Sequence, residues 1–99
     1  MALTISWSKR ADKKFDNILE YLQQEWGETV TSAFVKKVYD FLDIVVDFPE
    51  IETLEKPDRN IRGFVIVKQI TLYYKVKNNN IILLNFFDNR QNPKKKKLR

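Results

Sequence analysis

The 99-residue chain contains no cysteine and no histidine. The first absence excludes disulfides, thiol nucleophiles and thiolate-bound zinc; the second removes the commonest general base and the commonest metal ligand. Only two glycines occur, Gly27 and Gly63, so there is no glycine-rich loop to cradle a phosphate. Carboxylates are scattered along the helical stretches, and no magnesium-type cluster is visible. The sequence therefore implies no cofactor and no metal. No run of eighteen apolar residues and no charged-then-apolar leader is present, which points to a cytoplasmic protein without membrane contact.

What is present is one small domain's worth of core, at 43% apolar content, and a divided charge. The net charge is +5, but residues 1–50 balance at −3 and residues 51–99 at +8. An acidic first half and a basic second half suit a protein whose later segment meets a polyanion or an acidic partner. A single domain over 1–93 and a basic tail over 94–99 are expected.

Along the chain, Leu3, Ile5 and Trp7 alternate with Thr4 and Ser6 as in a half-buried strand. Ser8 is placed to cap a helix carrying Ala11, Phe15, Ile18, Leu19, Leu22 and Trp26 on one stripe, with Gly27 as a left-handed stop. A second helix is expected from about Thr29, with Val30, Phe34, Val38, Phe41, Leu42 and Val45 on its apolar stripe and Pro49 beyond its end. Glu50 to Asp58 reads as a polar connection. Ile61 to Val67 reads as a strand, Gln69-Ile70 as a turn, and Leu72, Tyr74 and Val76 as the inward face of a strand. Asn78-Asn79-Asn80 reads as a hairpin turn, because asparagine tolerates positive φ. The unbroken run Ile81-Ile82-Leu83-Leu84-Asn85-Phe86-Phe87 predicts a strand buried on both faces. The fold class is α+β, two-layered: an N-terminal strand, then a helical hairpin packed on one face of a mainly antiparallel four-stranded sheet, β-α-α-β-β-β with sheet order 1-4-3-2.

Three pieces in this order resemble the RelE/ParE superfamily, the toxins of bacterial type II toxin–antitoxin modules. They are Trp7-Ser8 with Ala11 and the helix through Ile18, Tyr21 and Trp26-Gly27; Phe48-Pro49; and Leu72-Tyr73-Tyr74 followed by Phe86-Phe87-Asp88-Asn89-Arg90-Gln91-Asn92-Pro93. The resemblance implies a RelE-like fold and a growth inhibitor neutralised by a cognate antitoxin, with ParE-like inhibition of DNA gyrase or a similar target. The alternative within the superfamily is a ribosome-dependent, metal-independent mRNA endonuclease. Outside toxins, a nucleic-acid-binding domain is the remaining reading. The partners implied are an antitoxin and either gyrase or ribosome and mRNA, in a homodimer or a toxin–antitoxin hetero-oligomer.

Against the nuclease members, Arg62 lies near a basic position on the second strand and Arg90 matches an arginine after the last strand. Both could hold charge on a phosphate, and Tyr73 is a weaker catalytic candidate. The rest of the set is missing: Thr71 stands where those nucleases carry an arginine, and no tyrosine follows Arg90. Arginine stays protonated, so a base would have to come from Asp88, Glu52, Glu55, Tyr73 or a lysine. Arg59, Lys68, Asn89, Lys94, Lys95, Lys96 and Lys97 are candidates for target or nucleic-acid contact. Arg90 equally fits a cap on the last strand, Arg62 and Lys68 fit guards of a sheet edge, and the lysines fit a solvated tail. Successive residues of a strand face opposite ways, so only one of Tyr73 and Tyr74 can serve a site. Arg62 and Arg90 are expected to share one rim of the sheet.

Overall fold

The computed structural model describes residues 3–51, 54–56 and 59–89, with 54–56 described by backbone only. The element order is β1 Thr4–Trp7, α1 Lys9–Trp26, α2 Glu28–Val45, β2 Leu54–Lys56, β3 Ile61–Val67, β4 Ile70–Lys77 and β5 Asn80–Asp88. The sheet runs β1-β5-β4-β3-β2, with β1 parallel to β5 and the other pairs antiparallel. The four expected strands thus stand in the expected order. The sheet has a fifth strand, however: β2, inside the stretch read as a polar connection, pairs with the start of β3. Three residues are too short to show a period of two, which is why pattern alone passes over such an edge strand.

Local chemistry accounts for the helical hairpin. The Ser8 hydroxyl accepts from the Ala11 N–H at 3.0 Å and donates to the Leu84 carbonyl at 3.1 Å, capping α1 and tying it to β5 at once. A cap of this kind stabilises by about 1 kcal/mol. Gly27 ends α1 with its N–H directed to the Gln23 and Leu22 carbonyls, at φ 89° and ψ −177°. The φ is positive, as expected of a helix stop, but the ψ is extended rather than left-handed helical. That combination is almost confined to glycine, and it lets α2 begin at the next residue.

Ala11, Phe15, Ile18 and Leu22 of α1 and Phe34, Val38, Phe41, Leu42 and Val45 of α2 are buried against Ile66, Ile70, Leu72, Tyr74, Ile81, Leu83 and Phe86 of the sheet. Rings concentrate at two places. Trp7, Phe15 and Phe86 meet with centroids 5.1, 5.4 and 5.8 Å apart, joining β1, α1 and β5. Phe41 stacks on Phe64 at 3.9 Å and meets Tyr74 edge-on at 5.7 Å, joining α2 to β3 and β4. Each such pair adds about 0.5–1.5 kcal/mol beyond the area it buries. The Tyr74 hydroxyl donates to the Pro49 carbonyl at 3.2 Å, satisfying its buried polar end and pinning the chain after α2.

Three expectations need correction. The last strand is not buried on both faces: Ile81, Leu83, Phe86 and Asp88 are buried under the helices, while Ile82, Leu84 and Phe87 are half-buried on the other face. A single helical layer covers a single face, and the apolar run disguised the alternation. Trp26 is 61% exposed rather than packed, and Val30 is exposed too, because both stand on the wall of an open groove that they form with Val67 and Ile70. Finally, Ile70 is the buried first residue of β4, and the β3–β4 turn is Lys68-Gln69. The Asn78-Asn79 turn is as expected, with φ of 53° and 47°, the signature of a two-residue hairpin.

Phe86→Ala should destabilise the protein by about 3–5 kcal/mol, and Trp26→Ala should fall within about 0.5 kcal/mol of the parent, since the first opens a cavity and the second trims a surface ring. Urea unfolding followed by circular dichroism measures both.

Candidate functional site

Among the described elements, both helices pack on one face of the sheet and leave the other face without a helical layer. Strand alternation puts Thr4 and Ser6 of β1, Ile82 and Phe87 of β5, Thr71, Tyr73 and Lys75 of β4, and Ile61 and Val65 of β3 on this outer face. Between Tyr73 and Tyr74 the β4–β5 register slips, so that Asn85 faces Tyr73 while Leu83 faces Tyr74. The extra residue is Leu84, and both Leu84 and Asn85 are half-buried. Such a bulge turns two consecutive side chains to one side and twists the strand. It places Asn85 beside Tyr73 near the middle of the outer face. At the β1 side of that face, the Thr4 and Ser6 hydroxyls both donate to Asn80 Oδ1 at 3.1 Å.

Among the described residues, the sequence-predicted candidates are divided between the two faces and the two ends of the sheet. Tyr73 is half-buried on the outer face and Tyr74 fully buried on the inner one, the division expected of neighbours in a strand. Arg62 pairs across from Tyr74, in phase with Phe64 and Ile66, which places it on the helix-bearing side; it is half-buried and engaged by a contact of its own. Asp88, a candidate base, is also on that inner side, 8% exposed. Arg59 is exposed next to Asn60, whose side chain donates to the Val76 carbonyl at 3.0 Å, at the same end of the sheet as Arg62. Lys68 and Asn89 lie at the opposite end, where the Asn89 N–H donates to the carbonyl of Gln69, next to Lys68, at 2.7 Å.

Arg90 and Lys94 to Lys97 lie outside the described residues, as do the side chains of Glu52 and Glu55. The register still bears on the shared rim. β5 runs from Leu83, level with Arg62 through Tyr74, to Asp88, level with Ile70, a separation of roughly 13–16 Å by strand rise. The last described residue before Arg90 thus stands at the far end of the sheet from Arg62.

Electrostatics are local elsewhere. The Lys36 ammonium, held by Asp40 at 2.9 Å on the exposed side of α2, is raised above the usual lysine range, first by that hydrogen bond and then by the charge of Asp40. Among the described residues no three histidine, cysteine, aspartate or glutamate side chains gather as a metal would require, and no helix is long and apolar enough to cross a membrane. Two features escaped the sequence reading. One is Lys75, on the outer face with Tyr73, visible in principle from the period of two. The other is a narrow cleft of about 70 Å³ lined by Lys14, Asn17, Tyr21, Ile70, Phe86 and Asp88, which joins residues too distant in sequence for any local pattern.

Comparison with known proteins fixes the family. Residues 5–93 match the ParE toxin of type II toxin–antitoxin systems, parDE. This chain belongs to the ParE toxin family. Its fold is similar to a chain of the chromosomal ParDE toxin–antitoxin system from P. aeruginosa, with 15% identity, TM-score 0.71 and coverage of 88% of this chain and 96% of that one. It is also similar to the YoeB dimer from Staphylococcus aureus, with 20% identity, TM-score 0.64 and coverage of 88% and 97%. At such identities the likeness concerns the fold. Among curated proteins none matches in sequence. The protein is therefore a toxin component of a type II toxin–antitoxin system, and a cognate antitoxin is its partner.

Within this ParE family toxin, Asn85 carries an unusual cost. Its Oδ1 is closed off from solvent and has no hydrogen-bond partner among the described residues. Leaving such an acceptor unmade costs about 1–3 kcal/mol, so Asn85→Leu should leave stability unchanged or raise it by about 1 kcal/mol. Chemical denaturation tests this, and a loss of stability would reveal a partner for the carbonyl.

Proposed function

We propose that this ParE family toxin inhibits growth in the cytoplasm by occupying a cellular target, DNA gyrase or a similar enzyme, without breaking bonds in it. One observation carries the reading: Tyr73 faces one side of the sheet while Arg62 and Asp88 lie on the other. Cleavage of RNA by its own 2′-hydroxyl needs a base, a leaving-group acid and a cation within reach of one phosphate. An acid on the outer face and a cation on the inner face cannot serve the same phosphorus atom. The outer face instead offers half-buried Tyr73, Ile82 and Phe87 with Lys75 among them and Lys77 in the same phase, a mixture of rings and cations suited to contact.

The endonuclease reading draws on the same Tyr73–Lys75 neighbourhood, and two measurements separate it from ours. Purified toxin added to gyrase and DNA should stop supercoiling or trap broken DNA, and mapped RNA ends in expressing cells should show no new cuts in translated messages. Tyr73→Phe should change growth inhibition by less than about threefold, whereas removing a general acid would cost about 100-fold or more. New cuts that vanish in Tyr73→Phe would overturn the proposal in favour of the nuclease.

Neutralisation in this reading is in large part electrostatic, given the balance of +8 over residues 51–99. The purified toxin–antitoxin complex should weaken by roughly tenfold or more between 0.05 and 0.5 M salt, as screening shortens the reach of exposed charges. Titration calorimetry at the two salt concentrations reads this directly, and an unchanged affinity would remove charge from the account.

A further inference from the structure

Ile44, Phe48 and Ile51 are 47%, 63% and 53% exposed, and they follow one another at spacings of four and three residues. The Phe48 N–H donates to the Ile44 carbonyl at 3.0 Å and the Ile51 N–H to the Phe48 carbonyl at 3.1 Å, so two turns carry the helical spacing past the end of α2. Side chains so spaced line up as one stripe. The core-facing residues of the same stretch, Phe41, Leu42 and Val45, are buried, so the fold has a second apolar side here that its core does not use. Single exposed apolar residues are ordinary, whereas an aligned group marks a contact surface.

The stripe is held in place from both sides. The Leu3 N–H donates to the Val46 carbonyl at 3.1 Å and the Tyr74 hydroxyl to the Pro49 carbonyl at 3.2 Å, tying the backbone around Phe48 to the start of β1 and to β4. A ring presented on a fixed backbone loses little freedom on binding.

Its surroundings carry one sign of charge. Between Val38 and Glu55 the chain has six acids, Asp40, Asp43, Asp47, Glu50, Glu52 and Glu55, and no lysine or arginine, in a protein of net charge +5. Asp47 and Glu50 line a shallow concavity together with Phe48, Pro49 and Ile51. Lys36 holds Asp40 at 2.9 Å, and among the described residues no cation pairs with Asp43, Asp47 or Glu50. Such a rim repels nucleic acid, and it repels an acidic antitoxin as well. It complements an amphipathic protein segment that sets lysine or arginine beside its apolar residues.

We infer that the Ile44, Phe48 and Ile51 stripe is a second surface, apart from the outer face of the sheet, by which this toxin grips its target, and that the target presents a basic amphipathic segment there. The inference rests on the reading of the protein as a toxin that occupies its target, and it adds a place of contact and the charge of the occupant. Phe48 is the anchor, and Asp43, Asp47 and Glu50 select a cationic partner.

The test uses the full chain, with and without its copurified antitoxin. Phe48→Ser should raise the amount of toxin needed to halt growth by roughly 30-fold, as loss of an anchoring ring does. Asp43→Lys/Asp47→Lys should raise it by roughly tenfold through like-charge opposition. Trp26→Ala, which removes an equally exposed ring from a separate groove, should change it by less than about threefold. All the altered side chains are exposed, so circular dichroism should match the parent and antitoxin affinity should stay within about threefold. Undiminished growth inhibition by Phe48→Ser and the lysine pair, or a loss that follows Trp26 instead, overturns the inference and leaves the toxin reading standing. A folded Phe48→Ser variant that loses its antitoxin, or that dissociates a toxin dimer in sedimentation, assigns the stripe to those partners and overturns it too. Absence of growth inhibition by the parent protein would remove the toxin reading and the inference with it.

Discussion

The structure depends on β5 being paired on both sides. Among the described residues it is the strand that joins the first residues of the chain to the antiparallel run, through the Thr4 N–H to the Asn79 carbonyl at 3.2 Å and the Ser8 N–H to the Leu83 carbonyl at 3.0 Å. Its inward residues Ile81, Leu83 and Phe86 are fully buried. Phe86 also completes the ring cluster with Trp7 and Phe15, so one strand carries both the sheet continuity and the contact with α1. Full burial of each such side chain stabilises by about 1.5–3 kcal/mol. The Ser8 hydroxyl, shared between a helix cap and the Leu84 carbonyl, makes the start of α1 conditional on β5 being in place.

A single helical layer leaves the sheet asymmetric, and that asymmetry sorts the candidate residues between two faces. The inner face holds the core and draws Arg62 and Asp88 to its margins, while the outer face holds Tyr73 and Lys75 in the middle of half-buried apolar surface. The bulge at Leu84 and Asn85 belongs to the same logic: it spends a hydrogen-bonding opportunity at Asn85 Oδ1 to re-aim two side chains beside Tyr73.

Much of this was legible from the chain. Periods of three and four between Ala11 and Val45, the capping hydroxyl of Ser8 and the paired asparagines at 78 and 79 each encode local geometry, and each produced the expected element. Strand order followed from the apolar run of β5, even though the reason given for its burial was too strong. What sequence could not carry was phase and register. Whether Arg62 shares a side with Tyr73 depends on counting through β3 and β4 and across a bulge, and a one-residue slip reverses the answer. The level of Arg62 relative to the end of β5 depends on pairings more than ten residues apart. For the same reason the cleft between α1 and β5 was invisible, although Asp88 and Tyr21 had each drawn notice separately. Trp26 continues the stripe of α1 but faces an open groove shared with Val67 and Ile70, which spacing alone does not reveal.

The parallel pairing of β1 with β5 has a consequence for the order of events during synthesis. Helix α1, helix α2 and the β3–β4 hairpin are closed by contacts between near neighbours, but β1 must wait for a strand made some seventy-five residues later in the register that aligns Thr4 with Asn80. Contacts so far apart in the chain form late and slowly. A nascent chain still held by the ribosome short of β5 therefore has Trp7 and Phe15 without Phe86, and no completed sheet for anything to recognise. In this fold the sheet is complete only with β5, the last of the described strands.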